Sequence, residues 1–195
     1  MTQNNKKIAV TGGIGSGKST VTSLLKAHGY AVFSCDEINR ELWQDEKYLQ
    51  GLAQLFPDCI VGGTIDKQRL SRFVFSDAEK LKQLNDYAHP RIMQKLDERM
   101  QSESGLVFAE VPLLFEGGYQ NRFDGIIVVT RNTEQRIASV MARDGLSREE
   151  VLRRISRQVS YDKISDSRYY LIDNNEDREA LDKKLRHILA QLSKK

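Results

Sequence analysis

Five short runs of apolar and β-branched residues punctuate the chain: Lys7–Thr11 (KIAVT), Tyr30–Ser34 (YAVFS), Leu106–Glu110 (LVFAE), Gly125–Thr130 (GIIVVT) and Tyr169–Asp173 (YYLID). Near-continuous apolar runs of this length read as buried strands. Helical periods separate them. After the first run, Val21, Leu24, Leu25 and His28 recur at i, i+3, i+4 and i+7, and Gly29 follows as a natural stop. Asn132 or Thr133 caps a helix reaching Asp144, stopped by Gly145, and Ser147 with Glu150 forms a capping box for the next. From about Asp177 a last helix places Leu181, Leu185, Ile188 and Leu192 on one stripe. The second and third strands are separated by about seventy residues, with helical segments at Glu79–Ala88 and Arg91–Gln101.

Strands alternating with helices pair in parallel through right-handed crossovers, which predicts a three-layer α/β sandwich with a sheet of about five strands. The long segment between strands two and three exceeds what a crossover needs and is expected to be a helical, substrate-side insert. No linker divides the chain and no repeat appears. The expected organisation is a single domain whose core takes about 6–36, 105–131 and 166–195, with the insert at about 37–104 and a helical lid at about 132–165.

Composition narrows the classes. Of 195 residues, 39% are hydrophobic and 29% charged, which fits neither a disordered chain nor a membrane protein. The net charge of +3 comes from interleaved acids and bases rather than a basic stripe, so nucleic acid is not an expected partner, while phosphate substrates suit the mild positive excess. Cys35 and Cys59 have neither zinc-site spacing nor a disulfide framework and read as reduced thiols. The polar start MTQNNKK carries no signal segment and no run approaches a membrane span, so a cytoplasmic protein without an obligate protein partner is expected.

One motif carries chemistry directly. Gly12-Gly13-Ile14-Gly15-Ser16-Gly17-Lys18-Ser19 satisfies every fixed position of a phosphate-binding loop, between a strand and an amphipathic helix. The glycines let successive N–H groups turn inward toward phosphates, and the helix starting near Gly17 adds its positive end. Lys18 is expected to reach the β- and γ-phosphates of ATP, and Ser19 to hold Mg²⁺ through its hydroxyl. The nucleotide-binding set expected from the loop is Gly12, Gly13, Gly15, Ser16, Gly17, Lys18 and Ser19.

A phosphate loop leaves three readings open: a small-molecule or nucleotide kinase, a GTPase switch, or a motor ATPase. A switch needs a guanine-reading N-K-x-D, but the last strand is followed by Asn174-Asn175-Glu176-Asp177, which lacks the lysine. A motor carries an acidic pair after strand three, where this chain has the single carboxylate of Glu110 before Val111-Pro112. A kinase is favoured by Asp36, just beyond the second strand, where doubly wound folds place ligand groups. A carboxylate there can take the proton of an acceptor hydroxyl. It can equally cap the helix expected over Glu37–Trp43, and both readings stand on spacing alone. Arg136 and Arg143 lie seven apart, on one helical face that can either close over phosphates or simply face solvent.

In order along the chain, these motifs resemble the dephospho-coenzyme A kinase family. The likeness runs from about Lys7 to Asp177. It takes in Thr11–Thr20, Cys35-Asp36-Glu37-Ile38, Ile65-Asp66 with Arg69-Leu70, Phe75 and His89-Pro90. It continues through Val111-Pro112-Leu113-Leu114-Phe115-Glu116, Gln135-Arg136, Arg143, Gln158 and Ile172-Asp173-Asn174. The resemblance implies phosphorylation of the ribose 3′-hydroxyl of dephospho-CoA by ATP with Mg²⁺, the last step of coenzyme A synthesis. It implies that Asp36, with Lys18 and Arg143, is catalytic. Thr20, Arg136, Arg143 and Asn174 are implied at ATP, and Asp36 and His89 at the acceptor. Two positions depart from the family pattern: Ser34, where a second aspartate is usual, and Arg168-Tyr169, where the family has Ala-Asp.

Overall fold

The expected strands form one five-stranded sheet: β1 (Asn5–Gly12), β2 (Ala31–Ser34), β5 (Gly105–Glu110), β6 (Gly125–Thr130) and β7 (Tyr169–Asp173). The structure, a computed structural model, describes residues 5–159 and 168–194. The spatial order is β2-β5-β1-β6-β7. β1 runs parallel to both β5 and β6, and β6 runs parallel to β7. The register sets Gly12 beside Val129 and Thr130 beside Asp173, so the carboxyl ends of the central strands open on one edge of the sheet. This is the parallel α/β sandwich that the strand–helix alternation predicts.

The chain divides into two compact units, Met1–Phe33 with Met100–Lys195, and Ser34–Arg99. In the first, helices α1 (Lys18–Ala27) and α8 (Arg178–Leu192) share a core with the sheet. Ile8, Val10, Phe108, Ile127, Val129 and Ile172 meet Val21, Leu25, Leu181, Leu185 and Leu192 in that core. Fully buried aliphatic side chains of this size each stabilise by ~1.5–3 kcal/mol relative to exposure, so this layer dominates the unit's stability. His28 does not join the stripe that its spacing suggests. It is the exposed C-cap of α1, and its Nε2 lies 2.6 Å from Oδ1 of Asp182 on α8. At the end of a helix the chain leaves the 3.6 period, and a polar side chain takes a polar partner instead.

Helices α6 (Thr133–Asp144) and α7 (Arg148–Ser156) follow β6. Asn132 caps the first by accepting from Glu134 N–H, and Gly145 closes it at φ 67°. The Ser147–Glu150 capping box starts the second. A small separate core of Ile137, Val140 and Val151 holds the pair together, with Ile14, Leu146 and Ile155 packed on it. Positions 160–165 of the expected lid lie outside the described residues.

The second unit holds α2 (Cys35–Leu42), α3 (Glu46–Leu55), α4 (Lys67–Phe75) and most of α5 (Ala78–Gln101), with a hairpin of β3 (Ile60–Val61) and β4 (Thr64–Ile65). Ile38, Leu52, Phe56, Leu70 and Met93 are fully buried. Edge-on aromatic pairs Trp43–Tyr48 and Phe56–Phe73 and the tilted pair Tyr48–Tyr87 brace it. Arg99 bonds both carboxylate oxygens of Glu41 and holds that carboxyl below its usual range.

Two expectations change here. Glu79–Ala88 and Arg91–Gln101 are one helix, α5, which runs straight through Pro90. Proline removes one helical hydrogen bond, but Ala88, Ile92, Met93, Leu96 and Met100 form a continuous buried face that carries the helix across it. Arg91 also donates to the carbonyl of Tyr87 at 2.7 Å beside the break. The cap of α2 is Ser34, whose Oγ accepts from Glu37 N–H, rather than Asp36. Among the described residues no helix is long and apolar enough to cross a membrane.

Candidate active site

β1 delivers the chain into the phosphate loop at Gly12 and α1 takes it up at Lys18. The loop closes on itself through Ser16 N–H donating to the Gly13 carbonyl at 3.1 Å, and Gly17 turns into the helix in the left-handed region. Lys18 Nζ donates to the carbonyls of Gly12 at 2.8 Å and Gly13 at 3.2 Å. The ammonium is thus held over the loop, where a triphosphate can take it from neutral carbonyl partners. A Cβ on Gly12 would lie 2.3 Å from the Val129 carbonyl, so β1 and β6 approach here as only glycine permits.

Three elements distant in sequence reach this loop. From the end of β7, Asn174 is buried and donates its side-chain amide to the Ser16 carbonyl. From α6, Arg136 Nε donates to the Ile14 carbonyl at 2.9 Å. From just past α7, Gln158 Oε1 accepts from Ile14 N–H at 2.8 Å and from Arg136 Nη2 at 3.4 Å. Beside them lies a cavity of about 300 Å³, lined by Gly13, Ser16, Thr130, Arg131, Arg136 and Gln158 among others. In the sequence Gln158 is one residue of a family-like segment, with nothing beside it to mark a role. No local signal marks it, because its partner stands 144 residues away.

The remaining candidates fall in different places. Arg143 sits in the last turn of α6 with a largely exposed side chain, bonded to both oxygens of Asp144 at 2.7 and 2.9 Å. That pairing holds the Asp144 carboxyl below its usual range. Arg136, not Arg143, therefore lies on the loop in this structure. Glu110, at the end of β5, accepts from the Thr22 hydroxyl of α1 at 3.4 Å. Glu116 accepts from Val159 N–H at 3.3 Å and so links the β5 loop to the chain following α7.

In the second unit, Asp36 is exposed in the first turn of α2, two residues beyond β2. A negative side chain there interacts favourably with the positive end of the helix dipole. His89 lies half-buried on α5, and burial lowers its pKa against the opposing influence of Asp86.

Magnesium fits the loop through Ser19, exposed in the first turn of α1. Mg²⁺ keeps water and takes substrate phosphates as its main ligands, so one hydroxyl at the phosphate cradle matches its demand. The described residues hold no cluster of three or more acidic, histidine or cysteine side chains arranged for a metal.

The family profile described as dephospho-CoA kinase matches residues 6–179. A dephospho-CoA kinase of Thermus thermophilus is 41% identical over 95% of this chain and 91% of its own length. That of Deinococcus radiodurans is 36% identical over 96% and 92%. Among solved structures, a Thermus thermophilus protein superposes with TM-score 0.84 at 40% identity, covering 97% of this chain and 99% of its own. The dephospho-CoA kinase of Campylobacter jejuni gives TM-score 0.71 at 26% identity, covering 98% of each chain. With the phosphate loop, the strand order and the full-length matches in agreement, this chain belongs to the dephospho-CoA kinase family.

Proposed function

We propose that this protein transfers the γ-phosphoryl group of ATP to the ribose 3′-hydroxyl of dephospho-CoA, giving coenzyme A and ADP in the cytoplasm. The observation that carries the phosphotransfer reading is the loop between β1 and α1, with Lys18 held over its carbonyls and Arg136 braced against its apex. Acceptor identity rests on family membership.

Phosphoryl transfer needs positioning and charge more than covalent help. The loop N–H groups and the α1 N-terminus receive the phosphates. Lys18 leaves the Gly12 and Gly13 carbonyls for the β- and γ-phosphates. Asp36 takes the 3′-hydroxyl proton as the new O–P bond forms and the bond between γ-phosphorus and the β–γ bridging oxygen breaks, with ADP departing on that oxygen. The Ser19 hydroxyl would hold Mg²⁺ beside the phosphates, and the ion when bound would supply charge stabilisation there. Arg143 closes on the nucleotide only once the α6–α7 segment moves, since at rest it pairs with Asp144. His89, whose pKa burial lowers, serves as a hydrogen-bonding group for the acceptor.

A coupled ADP-release assay over a small acceptor panel tests the proposal. Turnover is expected with dephospho-CoA and not with the other alcohols, and Lys18→Ala is expected to lose about a hundredfold or more. ADP release that is equal with and without acceptor sinks the kinase reading in favour of a hydrolase.

A further inference from the structure

Both polar groups of Ile14, at the apex of the phosphate loop, are engaged by side chains from one segment. Its N–H donates to Gln158 Oε1 at 2.8 Å and its carbonyl accepts from Arg136 Nε at 2.9 Å. The ring closes because Arg136 Nη2 also donates to Gln158 Oε1, at 3.4 Å. The Ile14 side chain packs on the Ile137–Val140–Val151 core of α6 and α7, so backbone and side chain are gripped by the same segment. The fit is close: a Cβ on Gly13 would stand 2.3 Å from Arg136 Nη2 and 3.3 Å from Gln158 Oε1. Arg136 and Gln158 also line the cavity beside the loop, which contains the buried Ser16 hydroxyl, unbonded among the described residues.

From this ring we infer that Gln158 is a positioning residue for phosphoryl transfer. It holds the Arg136 guanidinium against the loop and fixes the loop apex before nucleotide arrives. An arginine already fixed at a phosphate site loses less side-chain freedom on binding than one swinging in from solvent. A neutral amide suits the task. Its oxygen orients the guanidinium without cancelling its charge, whereas a carboxylate in the same place would pair with Arg136 and repel the triphosphate.

The inference rests on the ATP-dependent reading above, and the test separates the two. Gln158→Ala is expected to lower kcat about tenfold or more, as loss of a group orienting an active-site side chain does, with a smaller rise in the KM for ATP and little change in the unfolding midpoint. In an Arg136→Ala background the same change is expected to cost much less, leaving only the share carried by the Gln158 bond to Ile14 N–H. Gln158→Glu, nearly isosteric, is expected to weaken ATP binding more than Gln158→Ala does. Amide exchange at Ile14 should quicken in Gln158→Ala without ligand. Unchanged kcat in Gln158→Ala, or an equal loss in the Arg136→Ala background, overturns the inference. If the wild type turns over no dephospho-CoA, the acceptor reading fails by itself. ATP affinity by equilibrium dialysis then decides, with equal affinities in wild type, Gln158→Ala and Gln158→Glu overturning the role of Gln158.

Discussion

Asn174 donates its side-chain amide to the carbonyl of Ser16 at 2.9 Å, tying the end of the last strand to a loop 158 residues earlier in the chain. The bond fixes the Ser16–Gly17 peptide, and its own backbone is held by Asn174 N–H donating to the Thr130 carbonyl at 2.9 Å. Asn174, which the family resemblance implies at ATP, is thus bonded directly to the phosphate loop.

Gly17 is the residue that permits this approach. It lies at φ 92°, and a Cβ would stand 2.0 Å from Asn174 Nδ2. Gly17→Ala therefore meets a backbone penalty of roughly 1–2 kcal/mol as well as a collision. ATP binding by Gly17→Ala should be lost in a dialysis measurement. Adding Asn174→Ala removes the collision alone, so the double variant should recover only part of the affinity. Full recovery would show that the φ requirement is unimportant.

Asp36→Asn separates catalysis from capping more cleanly than the sequence suggested, because Ser34 supplies the cap of α2. The substitution leaves that cap in place and removes one favourable charge from the helix start, an effect of roughly 0.3–1 kcal/mol. Thermal unfolding should barely move, whereas steady-state turnover should fall by about a hundredfold or more if Asp36 receives the hydroxyl proton. Turnover within a few-fold of wild type would remove Asp36 from the mechanism. Ser34→Ala should do the opposite, costing roughly 1 kcal/mol of stability through the lost cap.

Arg143→Ala tests closure of the α6–α7 segment. The Arg143–Asp144 pair is exposed, so its removal should leave the unfolding midpoint essentially unchanged. If Arg143 reaches the phosphates only on closure, kcat falls while ATP affinity without acceptor stays near wild type. Hydrogen exchange over 133–156 should slow when ATP and acceptor are both present. Normal kinetics together with ligand-independent exchange would leave this face as solvated surface.

His89 makes the stability of its helix depend on pH. Burial lowers its pKa below the ordinary value of 6.5, so the unfolded chain binds the proton more readily than the folded one. Its contribution is complete above the unfolded value and is lost as pH falls through it toward the lower folded value. The unfolding midpoint should therefore decline on acidification below about pH 6.5, and His89→Gln should flatten that part of the profile. An identical pH profile for the variant would show that other groups carry the decline.

Where a feature depends on the local run of residues, the sequence alone determined it. GIIVVT and YYLID became β6 and β7 over the expected residues, the first buried from Gly125 to Val129 and the second, at the sheet edge, fully burying only Ile172. Asn132, Gly145, Asp177 and the Ser147–Glu150 box mark helix ends as their chemistry requires, since caps satisfy backbone groups within a few residues. The phosphate loop was equally plain, its glycines and Lys18 being contiguous. Tertiary structure decided what depends on distant partners. Pro90 reads as a break until the buried face of α5 is seen to span it. His28 fits an apolar stripe by period but pairs with Asp182, 154 residues on. Strand order, which brings β7 to the edge beside β6, is what sets Asn174 under Ser16. The packing of Ile14 on α6 and α7 is what brings Arg136 and Gln158 to the loop. Periodicity and capping act over one or two turns of chain. Contacts that close over a hundred residues or more are fixed by the whole core, whose burial outweighs any local preference.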